Sequence, residues 1–323
     1  MQPNRPSRHI RNSDAGHDTP ENQRQFANAS TDPSVRRHLP LVGARRKVQN
    51  FLLHASPCSK RLISALEEVM KILHRLFASV GVIALSACVH ATPIVIPSQA
   101  SWHWQLSGKL QTPDRLVYDI DLFDTPASTI ATLKSRGRIV VCYFSAGSWE
   151  DWRPDAAQFP KEALGAQLDG WPGERWVDIR HPEVRTLMAR RILLAAQKGC
   201  DAVEPDNVDG YSNSNGLRLT EADQVDYNRW LSRQAHYRDL AIALKNAVEL
   251  VPQLVDDFDF ALNESCYAYK ECAAYRAFRQ QGKAVFIAEY RSYNSNMCAK
   301  AATAGYQLQF FKRDLNSVGK PCL

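Results

Sequence analysis

The stretch 203–211, V-E-P-D-N-V-D-G-Y, places Glu204, Asp206 and Asp209 within six residues, directly after an apolar run that starts at Gly199. Like charges held close in a partly dry pocket raise one another's pKa, and burial raises them further. A fold accepts such crowding where chemistry or a ligand's charge compensates, so the segment is a candidate site. Taken alone it reads equally as a polar turn, because Pro205, Asn207, Asp209 and Gly210 are all turn formers. The elements around it decide between the two.

From residue 100 onward, short apolar runs rich in β-branched and aromatic residues alternate with longer helical patterns. The runs are 102–106, 116–120, 139–144, 176–179, 202–206, 240–244, 258–262, 284–288 and 306–310. Between them, 126–135 reads as a helix stopped near Gly137. Residues 182–198 read as another, with Val184, Leu187 and Ile192 on one face and Gly199 as its stop. Thr220 and Asp223 form a capping-type pair that starts a third. This alternation predicts an α/β fold, a (β/α)8 TIM barrel. Nine runs are one too many, so one of them is accessory. A doubly wound open sheet is the competitor, but no G-x-G-x-x-G opens a helix.

In such barrels chemistry sits at the C-terminal ends of the strands. Polar residues fall there: Asp119 and Asp121, Tyr143 and Ser145, Glu204 and Asp206, Lys245 and Asn246, Asn263 and Glu264, Glu289 and Tyr290. Asp206 shares the alternation parity of Ala202 and Glu204, and Glu264 that of Phe260 and Leu262. Both side chains are therefore expected to point into the barrel mouth. Two carboxylates facing each other there are the minimum equipment for glycoside hydrolysis. Nucleophile-elbow and zinc chemistries find no support, since G-x-S-x-G, C-x-x-C and H-E-x-x-H do not occur.

Six motifs in order, W-H-W-Q-L-S-G at 102–108, Y-D-I-D-L-F-D-T at 118–125, C-Y-F-S-A-G-S-W-E-D-W-R-P-D at 142–155, G-W-P-G-E-R-W at 170–176, G-C-D-A-V-E-P-D-N-V-D-G-Y at 199–211 and N-E-S-C-Y-A-Y-K-E-C at 263–272, resemble glycoside hydrolase family 114, the endo-α-1,4-polygalactosaminidases. The resemblance implies a (β/α)8 barrel that cuts α-1,4-linked galactosamine polymers within the chain, with no metal or organic cofactor. It implies a catalytic Asp at Asp206 and a catalytic Glu at Glu264. It also implies a retaining mechanism, with Asp206 as nucleophile and Glu264 as acid and base.

The residues agree with a cationic galactosamine-rich polysaccharide as partner. Asp119, Asp121, Glu204, Asp209 and Glu289 around the pair would attract ammonium groups. Lys245 is the one cation expected near the mouth, placed to lower the pKa of Asp206, though it reads equally as an ordinary strand-end lysine. Trp104, Tyr143 and Tyr211 adjoin the acidic motifs and are expected to stack on sugar faces. Asn207 and Tyr290 complete the expected substrate-binding set. A catalytically silent barrel that only binds the polymer would use the same cleft, and the presence of both carboxylates favours hydrolysis.

The formal charge of +6 suggests a polyanion partner, but its distribution argues against nucleic acid. Residues 1–88 hold 13 of the 40 Lys and Arg and 6 of the 34 Asp and Glu, so the remainder is nearly neutral. Residues 1–69 read as a disordered basic segment and an over-long gene start. Residues 70–88 read as a signal peptide: Lys71, His74 and Arg75 precede an apolar stretch, and Leu85-Ser86-Ala87-Cys88 resembles a lipobox with Cys88 as the lipidated residue. The competing reading, a membrane anchor over 76–89, is shorter than the ~20 residues a span needs. Residues 89–100 are then a linker and 101–323 the barrel of a monomeric, lipid-anchored protein of the bacterial cell envelope.

Export exposes cysteines to oxidation. Cys266 with Cys272 and Cys298 with Cys322 are the expected disulfides, while Cys142 and Cys200 sit in apolar runs and read as buried thiols.

Overall fold

The computed structural model describes residues 92–322. In chain order the strands are β1 (Trp102–Gln105), β2 (Val117–Asp121), β3 (Ile139–Ser145), β4 (Ser148–Glu150), β5 (Leu164–Gln167), β6 (Glu174–Val177), β7 (Ala202–Asp206), β8 (Ala241–Lys245), β9 (Phe260–Glu264), β10 (Val285–Glu289), β11 (Gln307–Phe310) and β12 (Lys320–Pro321). The helices are α1 (Ala127–Ser135), α2 (Pro182–Lys198), α3 (Glu221–His236), α4 (Val251–Leu254), α5 (Cys266–Tyr269), α6 (Arg276–Gln280) and α7 (Ser295–Ala304).

Eight strands, β1, β2, β3, β7, β8, β9, β10 and β11, run parallel, each paired with the next in that order. They form the (β/α)8 barrel, with β12 added antiparallel to β11. Side chains bridge the seam between β11 and β1. The Trp102 indole donates to the Gln307 carbonyl at 3.0 Å, and the Gln309 amide donates to the Trp102 carbonyl at 2.5 Å. The supernumerary run at 176–179 belongs to β6, in a separate antiparallel sheet of order β4-β6-β5 inserted between β3 and α2.

Local signals account for the long helices. Pro182 occupies the first turn of α2, where its missing N–H costs nothing; the His181 ring accepts the Glu183 N–H at 3.2 Å, and Gly199 ends the helix at φ 87°. Thr220 and Asp223 make a reciprocal capping box on α3. The crossovers after β8 and β9 are built from shorter pieces, α4 and then α5 and α6.

Strand alternation separates two apolar layers. Tyr118, Val140, Phe144, Val203, Ile242, Leu244 and Ile287 face the helices. Trp102, Trp104, Val141, Phe260 and Phe286 fill the barrel interior against Ala202, Ala241, Ala243 and Ala288. Aromatic bulk from β1, β9 and β10 thus meets small residues on β7 and β8, the large-against-small complement that keeps a barrel interior solid. Trp102 stacks on Phe286 with centroids 5.0 Å apart.

Cys266–Cys272 and Cys298–Cys322 are disulfides, as expected. Cys142 and Cys200 are not buried thiols: they form a third bridge, spanning 58 residues. Cys142 lies on β3 and Cys200 just before β7, and these strands are neighbours in the sheet although the inserted sheet and α2 separate them in sequence. The signal-peptide residues 70–88, including Cys88, lie outside the described residues.

Candidate active site

The interior parity that holds Ala202, Ala241, Ala243, Phe260 and Leu262 continues upward to Glu204, Asp206, Lys245 and Glu264. These four side chains meet at one point. The Lys245 ammonium lies 2.7 Å from Glu204 Oε1, 3.2 Å from Asp206 Oδ1 and 3.4 Å from Glu264 Oε2. Lys245 is 1 % exposed and also packs over the Trp104 ring at 4.8 Å. Burial lowers its pKa, but Asp206, Glu204 and Glu264 together outweigh burial and hold it well above the ordinary lysine value.

Each carboxylate of the group has its own support. Asp206 accepts from the Tyr143 hydroxyl at 3.1 Å and from the Asn207 N–H at 2.8 Å. Its main-chain carbonyl accepts from the amides of Ala146 and Gly147 at 2.9 and 3.1 Å. Gly147 is required there, since a Cβ would stand 1.7 Å from the Asn207 carbonyl oxygen. Glu264 accepts from Asn246 Nδ2 at 3.1 Å and from the Tyr290 hydroxyl. Burial raises the Glu264 pKa; Lys245 is the largest influence opposing it, the Tyr290 and Asn246 hydrogen bonds lower it further, and it lies at about 2. Glu204 accepts from the Trp104 indole at 3.1 Å. Beside it, burial and then the Glu204 charge push the Asp119 carboxyl well above its ordinary range, and the two side chains share a hydrogen bond.

The backbone turns sharply as it leaves three of these strand ends. Asn207, Asn246 and Ser265, the residues after Asp206, Lys245 and Glu264, have φ of 60°, 48° and 67°. Left-handed backbone at non-glycine residues costs about 1–3 kcal/mol each and gathers where a site over-determines the chain.

A cleft of about 280 Å³ opens beside Asp206. Tyr143, Asp206 and Asn207 form its barrel wall, Asp121 ends β2 there and Asp124 follows it. The insertion between β3 and α2 contributes Glu150, Trp152, Arg153, Leu168, Trp171 and Glu174.

The structure redistributes several expected residues. Trp104 is fully buried, so it orients Glu204 and packs on Lys245 and offers no face to a sugar. Asp121 lines the cleft, but its oxygens are taken by Arg153 at 3.1 and 2.8 Å and by the amides of Phe123 and Asp124. Glu289 has the opposite parity to Tyr290. It faces the helices and accepts the amides of Tyr267 and Ala268 at the start of α5. Tyr211 packs against the sheet–helix layer. The Asp209 carbonyl accepts from the Ser212 amide and from Asn213 Nδ2, which builds the turn after β7. Asp206, Glu264, Glu204, Asp119, Lys245, Tyr143, Asn207 and Tyr290 are the expected residues found at the mouth.

Glu174 and Arg153 were not anticipated. Arg153 joins Asp121 to Glu150 at 2.8 Å, and Arg191 joins Asp155 at 2.8 Å and Glu150 at 3.6 Å. Glu174 accepts from the Ser148 hydroxyl and from Asn207 Nδ2 at 3.2 Å. Both lie in motifs visible in the sequence, W-E-D-W-R-P-D and G-W-P-G-E-R-W, but on no barrel strand whose parity would have pointed to them.

A sequence model of the glycoside-hydrolase family GH114 matches residues 84–323. Among solved structures, the chain is similar to Ega3 of Aspergillus fumigatus, crystallised in complex with galactosamine. The two are 39% identical with a TM-score of 0.69, covering 73% of this chain and 100% of that one. The glycoside hydrolase domain of PelA from Pseudomonas aeruginosa shares the fold, at 15% identity and a TM-score of 0.55 over 69% of this chain and 98% of that one. A protein of Deinococcus radiodurans described as uncharacterized is 28% identical over 255 residues, 66% of this chain and 81% of its own length.

Proposed function

The chain belongs to the glycoside-hydrolase family GH114 and is a glycoside hydrolase, and from that premise we propose that it cleaves α-1,4-linked galactosamine or N-acetylgalactosamine polysaccharide within the chain, using Asp206 and Glu264. The observation that carries this reading is the convergence of both carboxylates, from β7 and β9, on one buried ammonium. The similarity to Ega3, seen with galactosamine bound, supports the substrate class.

A retaining mechanism is part of the proposal. Two oxygens 3.2 and 3.4 Å from the same Nζ cannot lie further apart than those contacts laid end to end. That closeness supports the roughly 5–5.5 Å separation of retaining pairs over the roughly 6.5–9.5 Å of inverting ones. Asp206 attacks the anomeric carbon as the leaving oxygen takes a proton from Glu264. Glu264 then activates the water that releases the sugar. Tyr143 orients Asp206, and Lys245 holds both groups in register.

One observation favours exchanged roles. Glu264 at about 2 is held ionised, the state a nucleophile needs, whereas an acid must carry a proton. Azide rescue separates the two: an alanine variant of the acid–base residue yields a glycosyl azide of retained configuration, and one of the nucleophile yields the inverted azide.

Export as a lipid-anchored envelope protein modified at Cys88 belongs to the same proposal. Three disulfides among the described residues support an oxidising compartment. The test of function is incubation of the purified protein with galactosamine oligomers, with products read by mass. Shortening to internal fragments is expected; binding without shortening would leave a polymer-binding barrel instead.

A further inference from the structure

The buried carboxylates that line the cleft are not equally matched. Asp121 and Glu150 share the Arg153 guanidinium, and Asp206 faces Lys245. Glu174 is 7 % exposed, and among the described residues no cation lies within ion-pair distance of it. Its Oε1 is fixed by the Ser148 hydroxyl and by Asn207 Nδ2 at 3.2 Å, which leaves Oε2 for the cleft. Asn207 is also the residue that follows Asp206, so Glu174 is anchored to the same turn that carries the attacking group. In the same cleft the indole N–H of Trp171 is buried without an acceptor. An unmatched buried carboxylate and an unmatched buried donor each cost free energy that a ligand can recover.

We propose that Glu174 is a specificity-determining residue, pairing with the free ammonium of the sugar ring that sits beside Asp206, while the Trp171 indole donates to a hydroxyl of that ring. The inference rests on the polysaccharide hydrolase reading above and adds which residue of the cleft reads the free amine. A deacetylated ring brings a cation to the buried cleft carboxylate that lacks one among the described residues, whereas an N-acetylated ring brings a neutral amide and leaves Glu174 unmatched. Burial, opposed by the Ser148 hydroxyl and reinforced by Glu150 and Asp206, raises Glu174 to about 7, so an arriving ammonium needs little further bias to hold it ionised.

Glu174→Gln is the direct test, because the amide oxygen can still accept from Ser148 and Asn207 while the charge is lost. Wild-type protein and E174Q are assayed for kcat/KM on fully deacetylated and on N-acetylated galactosamine oligomers, alongside thermal unfolding. The deacetylated value is expected to fall about 10- to 100-fold, the worth of a charged hydrogen bond, with the N-acetylated value nearly unchanged. Equal falls on both substrates, or no change on either, overturn the assignment, as does a wild-type protein that favours the N-acetylated polymer. If E174Q unfolds, Glu174→Asp is read instead: it retains the preference for deacetylated oligomers, and its loss overturns the proposal. If the wild-type protein shortens neither substrate, the hydrolase reading itself fails. If it shortens the deacetylated one and E174Q keeps the preference, only the role of Glu174 fails.

Discussion

Around Arg153 and Arg191, acids and cations are nearly balanced, three carboxylates to two guanidiniums. Asp121 receives two parallel bonds from Arg153, Asp155 receives two from Arg191, and Glu150 lies between the two guanidiniums. Around Lys245 the balance is lost, for one ammonium serves Glu204, Asp206 and Glu264, with the Asp119 carboxyl, its pKa raised by burial, behind them. Both clusters are buried. A planar guanidinium fork satisfies a carboxylate and locks it, while a point-charge ammonium shared three ways leaves lone pairs for something else. Nearly balanced charge fastens the inserted sheet and α2 to the barrel, and the acid excess at Lys245 is what a cationic substrate and a reacting carboxylate require.

Asp206→Asn puts the difference to its strongest test. It removes one acid from an over-acidic cluster, so hydrolysis is expected to fall about 10⁴-fold or more with the unfolding midpoint kept or raised. A large loss of stability would mean that Asp206 is structural and that the two clusters are alike. Arg153→Met should do the reverse, stranding Asp121 and Glu150 and costing about 3–5 kcal/mol in denaturant unfolding. A midpoint unmoved by this change would remove the structural half of the contrast.

Acid titration sharpens the comparison from the side of Glu264. Its folded pKa, about 2, lies below the ordinary glutamate value near 4.5. The stability it contributes is therefore complete above the unfolded value and is lost as pH falls towards 2. The gap in unfolding free energy between wild type and Glu264→Gln should shrink by up to about 3 kcal/mol between pH 6 and pH 2. A gap independent of pH would contradict the depressed value. The smallest effect belongs to Trp104→Phe, which keeps the ring beside Lys245 and removes the donor to Glu204. About 1–3 kcal/mol of stability should go, measured by thermal unfolding.

Much of the mouth was legible because strand parity is rigid. Once 202–206 and 258–262 are taken as strands, Asp206 and Glu264 must share a face with the interior residues below them. Glu289 was misplaced for the same reason: the interior set on β10 is Phe286 and Ala288 and then Tyr290, and an error of one residue reverses the side chain. Depth is a different matter. Trp104 precedes an acidic motif in sequence but sits low enough in the barrel to be covered by Phe311 and Lys245. The third disulfide required knowing that β3 and β7 are neighbours, which the intervening 58-residue excursion conceals. Glu174 depended on an inserted sheet whose placement no periodicity in the sequence records.

The Cys142–Cys200 bridge closes a covalent ring around that excursion. Ser145, Ser148, Glu150, Arg153, Asp155, Glu174 and Arg191 all lie inside it, as does the exposed Trp152. A protease that cuts near Trp152 would therefore nick the chain without releasing either piece. The cleft wall would stay tethered until the bridge was reduced, so a nicked sample should run as one band without reductant and as two with it.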